Sequence, residues 1–257
     1  MQFQKKGIMG MQSKSIAGPE IHAVHPWTPG NPEKPVRHQL LSDGERAQLA
    51  KIATITRFNK GELIYQEGDT ADAAFNIISG VVTAFRVISD AEHVLSFLYP
   101  GDLFGLSEEG QYSCSAKATT AVVAYKMPLL TVRRILDRNS DLDVDVIIKL
   151  CERLRHAQRH AVILAQKRAA TRLAMFLDMQ EHLQAARGES VSEIHLPMDR
   201  SSIAGYLGLT LAAVSRAFRT LASKKIVSCR NLHHVTVLNR DVFNKLADSG
   251  TRTTKPT

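Results

Sequence analysis

Cysteine is scarce in this sequence. The three present, Cys114, Cys151 and Cys229, are odd in number and far apart. They form neither a disulfide framework nor a CxxC metal clip, which fits a reducing cytoplasm. Long apolar runs are missing too: none approaches the ~18 residues that cross a bilayer. The two lysines near the N-terminus lead into no hydrophobic signal core. A secreted or membrane protein is therefore not expected. Tryptophan occurs once, at Trp27. Acidic charge is short in one half only. Residues 150–257 hold 17 Lys and Arg against 8 Asp and Glu, whereas residues 1–149 hold 16 against 17. A basic excess confined to the C-terminal part attracts polyanions such as nucleic acid or anionic lipid, although a merely solvated basic face has the same composition.

What is present is enough for a folded chain. Hydrophobic residues make up 44% of 257 residues, sufficient for one large domain or two modest ones. Residues 1–38 contain Pro19, Pro26, Pro29, Pro32 and Pro35 and show no apolar period, so they read as a flexible arm that Trp27 could pin to the body. Residues 39–138 read as a β-roll with flanking helices. The first of these helices covers 39–52, with Ser42 as its cap and Glu45 in capping-box register. Between 54 and 128, short apolar runs such as Leu63-Ile64-Tyr65 and Val81-Val82-Thr83-Ala84-Phe85 alternate with Gly61, Gly68, Gly80, Gly101 and Gly105. That texture predicts an antiparallel roll.

Residues 139–168 read as a long helix and a hinge, after a break at 138–140 where Ser140 can cap. Its apolar residues step by three and four: Val144, Ile147, Leu150 or Cys151, Leu154, Ala157, Ala161 and Leu164. Such a stripe suits pairing with a copy of itself, or packing on the roll. Ile147, Cys151, Leu154 and Ala161 are the candidate dimer seam. The period falters near 165–169. A second helix follows, then a polar loop at 184–192.

Residues 199–227, DRSSIAGYLGLTLAAVSRAFRTLASKKIV, carry the sharpest signal. With Arg200 as position one, Ala204, Gly208 and Val214 fall at positions five, nine and fifteen. These are the small, turn and buried sites of a helix-turn-helix. Thr210 can cap the second helix, and Val214, Phe218 and Leu221 face inward. Its outward side carries Leu211, Ala212, Ser215, Arg216 and Arg219. An arginine there can pair with a guanine edge or grip a phosphate. A plain αα-hairpin with a basic face is the competing reading. Val227 onward reads as a β-hairpin wing, closed by a short helix capped by Asn239. The helix-turn-helix domain spans 169–249 and a flexible tail 250–257. Ser201, Thr210, Leu211, Ala212, Ser215, Arg216, Arg219 and Lys224 are the candidate DNA-contacting residues. Lys225 and Arg230 could add phosphate contacts.

Over residues 40–247 the sequence resembles the CRP/FNR family of bacterial transcription regulators. The likeness rests on GELIYQEGD (61–69), FNIISGVV (75–82), FLYPGDLFGL (97–106) and SSIAGYLGLTLAAVSRAFRTL (201–221). It implies an α+β chain: an N-terminal antiparallel β-roll like a cyclic-nucleotide-binding jelly roll, a long dimerisation helix and a C-terminal winged helix-turn-helix. It also implies a cytoplasmic bacterial homodimer that reads a near-palindromic duplex and contacts RNA polymerase. The family's effector pocket maps onto Gly105, Leu106, Ser107, Ser113, Ser115 and Lys117.

The departures from the family narrow the signal. Relatives that bind cyclic AMP carry a glutamate after the glycine matching Gly105 and a later Arg-Ser pair. Here Leu106-Ser107 and Ser113-Cys114-Ser115-Ala116 stand in those places. A buried phosphate without a cationic partner is costly, so cyclic nucleotide is not expected unless Lys117 turns inward. Three cysteines cannot ligate an iron–sulfur cluster through Cys₄, which excludes that cofactor. Haem or metal would need His93, or His156 with His160 at i,i+4. Their surroundings, RLRHAQRH, read as a solvated face, and no metal site is assigned. Cys151 on the seam and Cys229 by the wing are candidate redox groups. An enzyme on a metal-holding roll is not expected, since His93 is the only histidine from 54 to 128. The remaining alternatives are a cyclic-nucleotide-responsive regulator and a ligand-binding scaffold without specific DNA readout.

Overall fold

The computed structural model describes residues 53–107, 109–136 and 140–248, with the side chains of 133–136, 140–146, 148 and 149 outside that description. The arm, Trp27, the expected helix at 39–52 with its Ser42–Glu45 cap, residues 138 and 139 of the expected break and the tail also lie outside the described residues, as does the side chain of Val144.

Eight strands build the roll: β1 (Thr54–Phe58), β2 (Leu63–Tyr65), β3 (Ala73–Ser79), β4 (Val82–Ile88), β5 (Ala91–Leu98), β6 (Leu103–Phe104), β7 (Ser115–Ala118) and β8 (Val122–Pro128). They form two four-stranded sheets, ordered β1-β8-β3-β6 and β2-β7-β4-β5, and the pairings are antiparallel. Between the sheets sits an aromatic core. Tyr65 stacks on Tyr112 at 3.8 Å between ring centroids, and Phe75 on Phe104 at 5.2 Å. The β4–β5 hairpin closes through Ser89 and Asp90, both left-handed (φ 51° and 63°). Such a turn matches the right-handed twist of the strands.

Helix α1 (Leu129–Leu136) leads to α2 (Ser140–Ala165). Residues 166–168 then separate α2 from α3 (Ala169–Ala186). The C-terminal part continues with β9 (Ile194–His195), α4 (Arg200–Leu207), α5 (Leu211–Ser223), β10 (Val227–Cys229), β11 (His234–Val237) and α6 (Arg240–Ala247). Leu173, Ala174, Phe176 and Leu177 are fully buried, because α3 is covered on several sides. The wing helices cover one side and strand β5 another. Phe97 and Tyr99 point out of the roll toward α3 and α4, while Leu98 points inward, as the two-residue period of a strand dictates. Phe97 meets Tyr206 at 5.4 Å, and Tyr99 donates its hydroxyl proton to Gln180. The roll and the helix-turn-helix thus share one core.

Two elements differ from the sequence reading. The polar stretch at 184–192 is helical to Ala186. Gln184, though polar, is buried: its amide donates to the Ser190 and Glu193 carbonyls and accepts from the His195 amide. The wing is a three-stranded sheet, β10-β11-β9, because Ile194–His195 adds a strand against His234–Val235. Helix α6 is tied back to α3 by a bidentate ion pair, Arg240 to Glu181 at 2.6 and 2.7 Å.

Candidate nucleic-acid interface and effector site

Local chemistry sets the helix-turn-helix. Asp199 caps α4, accepting from the Ser202 amide at 2.7 Å. Gly208 ends it in the left-handed region (φ 58°, ψ 42°), where a β-carbon would be strained. Two residues later Thr210 caps α5, its hydroxyl accepting from the Ala213 amide at 3.2 Å. Replacing Thr210 with alanine is expected to lower stability by about 1 kcal/mol, with Thr210→Ser near wild type, read as the shift in urea midpoint.

Val214, Ala217, Phe218 and Leu221 bury one face of α5. The opposite side exposes Leu211, Ala212, Arg216 and Arg219, with Ser215 half-buried beside them. Ser201 at the start of α4 and Lys224 after α5 are exposed as well. Leu211, Ala212, Ser215, Arg216 and Arg219 therefore share the side of α5 away from its buried face. Arg230 at the wing pairs with Glu193 at 2.9 Å, so part of its charge is already balanced.

Sequence reasoning missed Arg200 as a structural group. Its guanidinium lies 3.3 Å above the Phe218 ring, joining α4 to α5, and its charge faces the Cys229 thiol of the wing. Burial raises the Cys229 thiol above its ordinary range, and Arg200 opposes that shift.

The effector positions lie just after β6 (Gly105, Leu106, Ser107), just before β7 (Ser113) and on β7 itself (Ser115, Lys117). Gly105 is walled in: a β-carbon there would meet the Ala73 carbonyl at 3.0 Å, Phe75 at 3.1 Å and Tyr112 at 3.4 Å. Tyr112 holds its place by donating to the Ala73 carbonyl at 2.8 Å. Lys117 does not turn inward. Its neighbours Ala116 and Ala118 face the roll interior, so the strand period sends Lys117 outward, where it pairs with Glu92 and lies over Phe85. Ser115 accepts from the Glu67 amide at 3.0 Å, and Ser107 donates to the Gln111 carbonyl at 2.6 Å. Leu106 and Ser113 are exposed.

His160 is also spoken for: its ring stacks on Tyr206 at 3.8 Å, and Nε2 lies 2.6 Å from the Tyr206 carbonyl. Burial pushes its pKa down. Among the described residues no group of three or more His, Cys, Asp or Glu side chains is placed to hold a metal. On α2, Ile147, Cys151, Leu154 and Ala161 all lie exposed, with Leu150, Ala157 and Leu164 on the same stripe.

A β-roll joined to a winged helix-turn-helix with a basic outer helix face defines a DNA-binding transcription regulator. Residues 55–139 match the cyclic nucleotide-binding domain and residues 171–246 the Crp-like helix-turn-helix domain. The chain is 30% identical to the nitrogen fixation regulation protein FixK of Bradyrhizobium diazoefficiens, over 70% of this chain and 77% of that protein. It is also 30% identical to the transcriptional activator protein anr of Pseudomonas aeruginosa, over 66% and 70%. The solved structure of FixK2 from Bradyrhizobium japonicum superposes with a TM-score of 0.69 at 28% identity, covering 76% of this chain and 97% of that one. The chain belongs to the CRP/FNR family, whose members found here are transcription regulators rather than enzymes. No helix among the described residues is long and apolar enough to cross a membrane.

Proposed function

We propose that the protein is a sequence-specific regulator that binds a near-palindromic duplex as a homodimer in the bacterial cytoplasm, contacts RNA polymerase, and is gated by an effector or redox signal. The observation that carries the reading is a pairing of two features. One is the exposed arginine-bearing side of α5. The other is the exposed apolar stripe on α2, in which residues 147, 150, 154, 157, 161 and 164 step three, four, three, four, three. A stripe with that period packs against a copy of itself, and a twofold dimer presents two recognition helices about one DNA turn apart.

Within this reading Ser201, Thr210 and Lys224 grip phosphate, while Leu211, Ala212, Ser215, Arg216 and Arg219 face the major groove. Cyclic nucleotide is disfavoured because Gly105 is packed by Phe75 and Tyr112, and because Lys117 is engaged outside the roll. The exposed Cys151, beside Leu150 at the edge of the stripe, favours a redox input at the seam, since pairing of the stripes would bring two such thiols near one another.

Selection of bound sequences from random DNA tests the proposal. Enriched duplexes should carry two inverted half-sites. These should differ from the half-site preferred by relatives with a glutamate at the position of Ala212, because alanine packs on a thymine methyl but cannot accept from cytosine. Affinity for them should fall steeply with salt. Absence of an inverted repeat would defeat the reading. Repeating the measurement after diamide oxidation tests the gate.

A further inference from the structure

Helix α4 is fastened to the end of the seam helix at three points. His160 stacks on Tyr206. The Leu164 side chain lies 3.2 Å from where a β-carbon on Gly208 would sit. Arg172, on the first turn of α3, forks between the two sides of the joint. Its Nε donates to the Gln166 carbonyl in the 166–168 connection at 2.7 Å, and its Nη1 donates to the Leu207 carbonyl at 2.8 Å and to Gly208 at 3.3 Å. The connection between the seam helix and the reading domain is therefore pinned, by one planar cation, to the turn of the helix-turn-helix. A guanidinium holds several acceptors in a fixed fork, whereas an ammonium reaches them as a mobile point charge.

Only Leu209 and Thr210 separate that turn from α5, so the direction of α5 follows the Leu207–Gly208 peptide. The lever is long. Thirteen residues of helix span about 20 Å, so a tilt of about 10° moves the far end by about 3 Å, close to the rise of one base pair.

We propose that Arg172 is a positioning residue for DNA reading. It fixes the angle between the seam helix and the recognition helix, and so sets the spacing between half-sites that the protein accepts. The inference rests on the dimer reading above.

The test uses the full chain and duplexes carrying the half-site recovered by selection, with the spacer at its selected length and one base pair shorter or longer. Wild type should lose about tenfold in affinity on either altered spacer, and Arg172→Gln should flatten that preference to about threefold or less. The penalty for a changed base within the half-site should stay the same. Sedimentation and thermal unfolding of the same samples show that the variant is folded and of wild-type mass. Should Arg172→Gln fail to fold, the comparison is made on Arg172→Lys, which keeps the charge and loses the fork. A variant that keeps the wild-type spacer profile overturns the proposal and leaves the dimer reading standing. Equal weakening on every spacer also overturns it, since that is what general loosening would do. A wild type indifferent to spacer length would sink the dimer reading and this inference with it.

Discussion

Leu154→Glu is expected to split the protein into single subunits and to lower its affinity for a two-half-site duplex by about 100-fold or more. Leu154 lies near the middle of the α2 stripe and is 60% exposed in the single chain. Ile147 and Leu150 beside it are comparably open, at 57% and 52%. Burying the exposed half of each such side chain against a twofold mate contributes about 1–1.5 kcal/mol. A glutamate at this position instead faces its own image. Two carboxylates brought together in a low-dielectric seam must either repel or bind a proton, and both oppose association. The DNA term follows from the loss of tethering. In a dimer the second recognition helix binds at an effective concentration set by the rigid connection between the two. A free subunit must find the second half-site from bulk solution. Sedimentation velocity at micromolar concentration reads the first effect, and a gel shift on full and half sites reads the second. Binding to an isolated half-site should be unchanged. A variant that sediments as a dimer and binds the full site normally would place the seam elsewhere.

The same helix marks how far the sequence could be read. The stripe on α2 is legible because a heptad is local: it needs no knowledge of what lies across from it. Gly208 and Thr210 are legible for a similar reason, since each answers a backbone demand at its own position, a left-handed turn and an orphan amide. Residues whose surroundings depend on how the chain folds back are not legible. Gln184 is polar and reads as loop, yet the chain returns over it and its partners at 190, 193 and 195 hold it buried at a helix end. Phe97 and Tyr99 lie within the stretch that reads as roll, but nothing local says that they pack on α3 and α4, some 80 to 110 residues later. Arg172 carries no signal at all, because its role depends on three carbonyls of other segments. Lys117 was a different matter. Its direction was available from the alternation with Ala116 and Ala118, small residues that suit a roll interior, and the strand period answers the question that the family likeness raised.

Arg216→Ala and Lys224→Ala are expected to separate reading from gripping. Arg216 is exposed near the middle of α5, one turn after Ala212 and on the side opposite the buried Val214 and Phe218. Helix α5 contains no acidic residue, so no carboxylate on the helix itself competes for the guanidinium or helps it read a base. A bidentate contact to a guanine edge discriminates by about 1–3 kcal/mol, or roughly 5- to 150-fold. Removing Arg216 should therefore cost that much on the selected site and almost nothing on a site already changed at the contacted pair. Lys224 follows the last turn of α5 and is exposed beside Lys225. A phosphate contact there carries no base information, so its loss should weaken every duplex alike and reduce the slope of log affinity against log salt by about one. Fluorescence anisotropy with the selected duplex and its single-pair variants, over a range of salt, measures both. If Arg216→Ala weakened all duplexes equally while leaving their ranking intact, Arg216 would be a phosphate contact. Base choice would then fall to Ser215, Arg219 and the apolar Leu211 and Ala212.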